Sequence, residues 1–217
     1  MVQKKKAGAE APVAAPKRRG RPRAYEPDVA LGQALALFRK TGFAATSLDD
    51  LSAATGMNRP SLYGAFGDKR ELYIRSYQRY REDYSGAAVE VFKADLPIRE
   101  RLRRFYDVAL DVYLPGDAPR GCFTVMTVAS DAIADPEIRA MVLEGFSDLD
   151  KALGWCFRTA VAKGELPASA DIAALSSVAS ATLYSLALRA RAGIPRKQLE
   201  TIAKGAIDLL CGPAKAP

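Results

Sequence analysis

The sequence predicts an all-α protein, with a three-helix head at its N-terminal end, a connecting helix, and a larger helical bundle behind it. Three observations carry that expectation. Alanine and leucine are abundant while prolines stand mostly at segment edges, a composition that favours helix. Apolar residues recur every three or four positions in one segment after another, and no alternating run of β-branched residues stands out. Several of these segments open on a capping side chain and close on glycine or proline.

A chain of 217 residues can bury a real core in one large or two small domains. Its formal charge of +7 is unevenly spread: residues 1–24 hold eight of the 32 basic side chains and one of the 25 acids, which leaves the remainder neutral. Basicity therefore belongs to a tail, and the body is no generic polycation. Residues 1–24, rich in Lys, Ala, Pro and Gly, are expected to form a disordered basic arm. Within it, Lys17-Arg18-Arg19-Gly20-Arg21-Pro22-Arg23 sets five cations on a backbone that Gly and Pro keep extended. Arg19, Arg21 and Arg23 could lie in a narrow, A·T-rich minor groove, and the Arg-Gly-Arg-Pro core resembles the AT-hook motif. A solvated tail that adds salt-sensitive affinity is the other reading.

Pro27 suits the first position of the first folded helix, in which Ala30, Ala34, Leu37 and Phe38 share a face until Gly42 ends it. Glu26 before it is a poor N-cap. The stretch from Thr46 to Lys69 then reads as two short helices joined by a tight turn. Ser47 can cap the first, with Asp50 at the reciprocal capping-box position, and Leu48, Leu51 and Ala54 share a face. Gly56 suits the turn because a residue without a Cβ takes positive φ at little cost. Asn58 can cap the second helix, Pro60 fits its first turn, and Leu62 with Phe66 forms the inner face. Asn58, Arg59, Ser61, Tyr63 and Gly64 are left with little apolar work. That arrangement is the helix-turn-helix solution for entering a major groove, the bland alternative being a helical hairpin inside an ordinary bundle. Asp68 caps a fourth helix whose Leu72, Ile74, Tyr77, Tyr80 and Tyr84 recur for several turns, too long a run to belong to the head alone.

Ala34-Leu35-Ala36-Leu37-Phe38, Gly42-Phe43, Thr46-Ser47-Leu48, Gly56-Met57, Ser61-Leu62-Tyr63, Phe66 and Asp68-Lys69-Arg70-Glu71-Leu72 together resemble the DNA-binding domain of the tetracycline-repressor (TetR) family, in order and at the family's spacings. The likeness covers about residues 25–75. It implies a helix-turn-helix DNA-binding domain over 25–75 and a C-terminal ligand-binding and dimerisation domain over 76–213. Thr46, Ser47, Tyr63 and Lys69 match phosphate-contacting positions of the family. Asn58 and Arg59 could reach base edges, Asn favouring adenine and Arg guanine, with Pro60 and Ser61 completing the DNA-binding set. Gly64 stands where the family often carries a larger side chain, and glycine there costs about 1 kcal/mol of helix stability relative to alanine.

Beyond residue 95 the sequence carries helices but few motifs. Ile98 to Val112 trace one face after Pro97, Gly121–Ile133 reads as one apolar helix, and Asp135-Pro136-Glu137 starts a long helix reaching about Lys163. Two more span about 171–192 and from Pro195 to near Gly212. The first of these is dense in Ala and Ser and needs cover on more than one side. The family resemblance implies pairing with a symmetry mate in a four-helix bundle, against a self-contained core.

The resemblance further implies a homodimeric regulator on a palindromic double-stranded operator, most simply a repressor released by a small molecule bound among the C-terminal helices. Half-sites facing successive major grooves lie about 34–36 Å apart. Phe105, Tyr106, Phe123, Met126, Thr127, Trp155 and Tyr184 could line an apolar or aromatic effector site, although such residues at helical spacing are more often plain core. Arg120-Gly121-Cys122 offers a competing trigger, because a thiol at a helix start beside a cation is more reactive; Cys122 as a small buried hydrophobe is the other reading. A nonspecific architectural DNA-coating protein is the alternative from a different class. An enzyme is not expected: there is no histidine, no phosphate-binding glycine loop and no nucleophile motif. No cofactor or metal is expected either, since Cys122, Cys156 and Cys211 are too far apart for a metal motif and odd in number for a disulfide framework. The N-terminal lysines have no apolar stretch behind them and no run approaches about 18 uninterrupted apolar residues, so a cytoplasmic location without a membrane partner is expected.

Overall fold

The computed structural model describes residues 26–116 and 121–212. The basic arm with Arg19, Arg21 and Arg23, and Arg120, lie outside these residues. The described chain is all helix: α1 (Pro27–Thr41), α2 (Leu48–Thr55), α3 (Arg59–Phe66), α4 (Lys69–Lys93), α5 (Ile98–Tyr113), α6 (Phe123–Val128), a 3₁₀ turn (Asp131–Ala134), α7 (Pro136–Ala162), α8 (Ile172–Arg191) and α9 (Arg196–Cys211).

Helices α1 to α3 form the head around Ala30, Ala34, Phe38, Leu51, Leu62 and Phe66, all buried. Glu26 makes no side-chain cap, as its length suggests, and Pro27 supplies the preset φ instead. Helix α4 packs on α1 at one end and runs without a break into the body, so the expected border at 75/76 falls inside a continuous helix. Where head meets body, the ring of Phe123 stands edge-on to Tyr73 and Tyr80 and tilted against Tyr77.

The expected single helix over Gly121–Ile133 is instead six residues of α6 followed by the 3₁₀ turn. Ser130 causes the break. Its Oγ donates to the Thr127 carbonyl and accepts the Ala132 N–H, satisfying backbone groups that a continuing helix would have paired. The chain then enters α7 through Asp135, whose carboxylate accepts the N–H groups of Glu137 and Ile138.

The Ala/Ser-rich helix α8 packs on α5, α7 and α9 through Ser176, Ala179, Ser180, Leu183, Leu186, Ala187 and Ala190. Val178 and Leu188 of α8 are exposed, and Leu209 of α9, which is 86% exposed, shares a surface groove with Val178. Among the described residues α8 is long and apolar enough, by length and composition alone, to cross a membrane. Its inward-facing residues and its packing on α5, α6, α7 and α9 give that apolarity a different use.

Candidate functional site

The α2–turn–α3 unit is fixed by local hydrogen bonds. The Asp50 N–H donates to Ser47 Oγ at 3.1 Å and the Ser47 N–H to Asp50 Oδ2 at 2.9 Å, a complete capping box. The Ser47 hydroxyl and N–H together hold the Asp50 carboxyl below its ordinary range. Gly56 turns the chain at φ 65°, and Thr55 Oγ1 accepts the Met57 N–H just beyond it. Asn58 Oδ1 then accepts the Ser61 N–H at 2.9 Å and starts α3. With Leu62 and Phe66 turned inward, Asn58, Arg59, Pro60, Tyr63 and Gly64 are exposed and Ser61 is half-buried.

Besides the capping Ser47 and Asn58, two more of the expected contact residues are engaged in the free protein. Arg59 donates from Nε to Asp49 Oδ1 at 3.0 Å and from Nη2 to Asp49 Oδ2 at 2.7 Å. Lys69 Nζ sits 4.5 Å above the Phe43 ring. Thr46 departs from expectation. It is 1% exposed, with its hydroxyl bound to Thr41 Oγ1 and the Gly42 carbonyl, so it braces the α1–α2 joint and has no surface for a phosphate. That burial is not readable from the α2 pattern, because Thr46 lies before α2 and its partners are the last residue of α1 and the glycine that follows it. Residues 26–75 carry six acids and six bases, so the head itself is neutral.

A cavity of about 390 Å³ lies in the body between α4, α7, α8 and the start of α6. Its wall is chiefly aromatic and aliphatic: Tyr80, Tyr84, Val89 and Phe92 from α4, Leu149 from α7, Leu183 and Tyr184 from α8. The Tyr80 and Tyr84 rings are parallel within 6°, and Tyr80 Oη donates to Cys122 Sγ at 3.4 Å. Burial pushes the Tyr80, Tyr84 and Tyr184 phenols well above their ordinary range, so each remains a neutral donor. At the mouth Arg81 donates to Glu144 Oε2 and to Asp148 Oδ2, both at 2.9 Å. Gly145, on the α7 turn between those acids, also lines the cavity; a Cβ there would stand 3.5 Å from Arg81 Nε, an ordinary contact.

Of the seven residues expected to line an effector site, Tyr184 alone does so. Phe105, Tyr106, Phe123 and Thr127 are core: Tyr106 Oη donates to the Ala179 carbonyl, and Thr127 Oγ1 is 2.8 Å from Tyr73 Oη and donates to the Phe123 carbonyl. Met126 is half-buried away from the wall. Trp155 lies on the outer side of α7, 48% exposed, with the Arg101 guanidinium 5.9 Å from its ring. The correction has one cause. Helical spacing shows that residues share a face, but the rotation of α4 against α7 and α8 decides which face meets a void. The missed residues had a signal in the Tyr77, Tyr80, Tyr84 repeat of a helix longer than the head requires, and in a glycine inside α7.

Cys122 is 6% exposed, at the N-cap of α6, and is part of the cavity lining. Tyr80 also connects this wall to the head. The Arg39 guanidinium of α1 lies 5.2 Å from its ring centroid and donates to the Val112 and Gly121 carbonyls at 2.7 and 3.1 Å.

Comparison with known proteins gives a consistent picture. The family model described as bacterial regulatory proteins, tetR family, matches residues 30–75, and the one described as tetracyclin repressor-like, C-terminal domain, matches residues 99–205. The HTH-type transcriptional repressor ComR of Escherichia coli (strain K12) is 27% identical over 188 residues, spanning 86% of this chain and 90% of ComR. A solved TetR transcriptional regulator from Rhodococcus sp. RHA1 is 32% identical with a TM-score of 0.59, covering 84% of this chain and 98% of the other. A cysteine mutant of the TetR family regulator CifR, complexed with 26-bp double-strand operator DNA, is 25% identical with a TM-score of 0.79 over 86% and 98% of the two chains.

Proposed function

This chain belongs to the TetR family of bacterial regulatory proteins, DNA-binding transcriptional regulators and not enzymes, and we propose that it is a homodimeric repressor released from a palindromic operator by a small apolar or aromatic effector. The observation that carries the proposal is the shared helix: α4 begins at the end of the groove-reading unit and continues as one wall of the cavity. A molecule in the cavity that prefers one inclination of α4 changes the separation of the two heads, and it shifts the equilibrium by as much as it prefers that state. Tyr80 lies in the path, touching Cys122 on the cavity side and Arg39 on the head side.

In this reading Ser47, Tyr63 and Lys69 hold phosphates, Asn58 and Arg59 read bases, and Pro60 and Ser61 shape the helix start. Arg19, Arg21 and Arg23 supply the positive charge that the neutral head lacks. The exposed Val178, Leu188 and Leu209 support the dimer, since an unpartnered apolar face on α8 and α9 is what a four-helix seam needs. The wall supports an apolar or aromatic effector, and the charged mouth adds a preference for one polar group. The protein acts in the cytoplasm, where its DNA is.

The test is selection of bound sites from a random duplex pool with the purified chain, followed by competition at fixed salt. The expected result is a palindrome preferred over scrambled duplex and released by an aromatic compound that fills the cavity. A coating protein would show almost no such ratio. Cys122 in the lining supports a second trigger, a thiol that meets electrophiles entering the same cavity. If Cys122→Ser leaves electrophile-driven release unchanged, that trigger is absent.

A further inference from the structure

The acids Asp49 and Asp50 stand side by side at the start of α2 and do different things. Asp50 completes the capping box. Asp49 adds negative charge to the first turn of α2 but takes no part in its capping box, and its carboxylate reaches across the turn to Arg59, with side chains 75% and 55% exposed. An ion pair so open to water adds little to stability. A carboxylate on a surface that must approach phosphates also opposes binding by charge. Neither the fold nor raw affinity explains it.

We propose that Asp49 is a positioning residue for base reading: it holds the Arg59 guanidinium by the Nε–Nη2 edge so that the Nη1–Nη2 edge is presented to guanine. The inference rests on the head reading DNA through α3. Both Arg59–Asp49 bonds are parallel and bidentate, and Nη1 has no partner among the described residues. Guanine O6 and N7 accept from two adjacent guanidinium N–H groups, so one edge remains for the base while the other is held. Arginine has high rotamer freedom, and fixing it beforehand lowers the ordering cost on the cognate site. The pairing also offsets Arg59's attraction to any passing phosphate, which lowers affinity for random DNA and widens the specificity ratio.

The experiment measures full-length wild type, Asp49→Asn, Arg59→Ala and the double variant against the selected site, its single-base substitutions and a scrambled duplex over a salt series. Arg59→Ala should cut discrimination at one G·C pair by about fivefold or more, and Asp49→Asn at the same pair by about two- to fivefold. Asp49→Asn should bind scrambled duplex more tightly, with a salt slope steeper by about one ion as Arg59 finds a phosphate. Without Arg59, Asp49→Asn should change no base preference. The proposal falls if Asp49→Asn keeps wild-type base preference, if its effect is the same without Arg59, or if it weakens all duplexes alike together with a lower melting temperature. A wild-type protein that prefers no sequence overturns the reading of the head as well, whereas a selective wild type with an indifferent Asp49→Asn overturns this proposal alone.

Discussion

The head and the cavity wall are built from similar residue types under different rules. In the head, Ser47, Asp50, Asn58 and Ser61 are bonded within three residues of themselves, so each role follows from local chemistry. In the body, Phe123 and Tyr80 are both aromatic, both buried and 5.7 Å apart, yet one is core and the other lines a void. A local code thus specifies the surface, while the cavity is specified by distant partners.

The largest expected effect would test that division directly. Phe123 is fully buried against three tyrosines, so Phe123→Ala should cost about 3–5 kcal/mol in chemical denaturation. Val89, on the wall and 39% exposed, should cost under about 1 kcal/mol when changed to Ala while altering effector affinity. A Phe123→Ala protein that kept its stability and lost only effector response would reverse the two assignments.

That contrast also explains what could be read in advance. Every cap from Ser47 to Asp68 was legible, as were α7, α8 and α9 to within a residue or two, because caps, prolines and glycines act locally. The Phe105, Tyr106 and Thr127 face was correctly apolar but could not be told from a cavity lining. Its outcome depends on Ala179 and Tyr73, which lie 73 and 54 residues away from the groups they bond. The α6 break was hidden for a subtler reason: Ser130 is neutral in an apolar run until its hydroxyl has a carbonyl to take.

A smaller effect sharpens the local side of the comparison. Ser47→Ala removes the hydroxyl half of the capping box, leaving only the backbone N–H donated to Asp50, and should cost about 1 kcal/mol, within a range of about 0.5–2. Operator affinity should fall with it, since α2 supports α3. Circular dichroism melts and binding on one preparation would check both. A loss of stability with unchanged binding would mean that α3 keeps its place without the α2 cap.

The joint between the two regions should show a smaller, pH-dependent effect. Arg70 of α4 is bonded to Asp135 and Glu137 at the start of α7, and it draws the Asp135 carboxyl from 3.8 down to about 2. A depressed carboxylate contributes stability that is full above its unfolded value and is lost as pH falls through its folded value. Arg70→Met should therefore be less stable than wild type at neutral pH, with the deficit shrinking from about pH 4 through about pH 2. A deficit that stays constant across an acid titration would show that Arg70 acts by packing alone.

The smallest expected effect has the opposite sign and asks whether the head gives up stability for its work. Gly64 is exposed inside α3, and a Cβ built there meets nothing within 4 Å. Gly64→Ala should raise stability by at most about 1 kcal/mol. In the body a substitution at Gly121 is strained: Gly121 takes φ +63°, and a Cβ there would lie 3.0 Å from the Ala187 carbonyl. No packing in the free protein requires Gly64, so any requirement must come from the bound state. If Gly64→Ala melts higher but binds the operator more weakly, the missing side chain is what lets α3 approach the DNA backbone. If it melts higher and binds equally well, Gly64 is only an unfilled helix position.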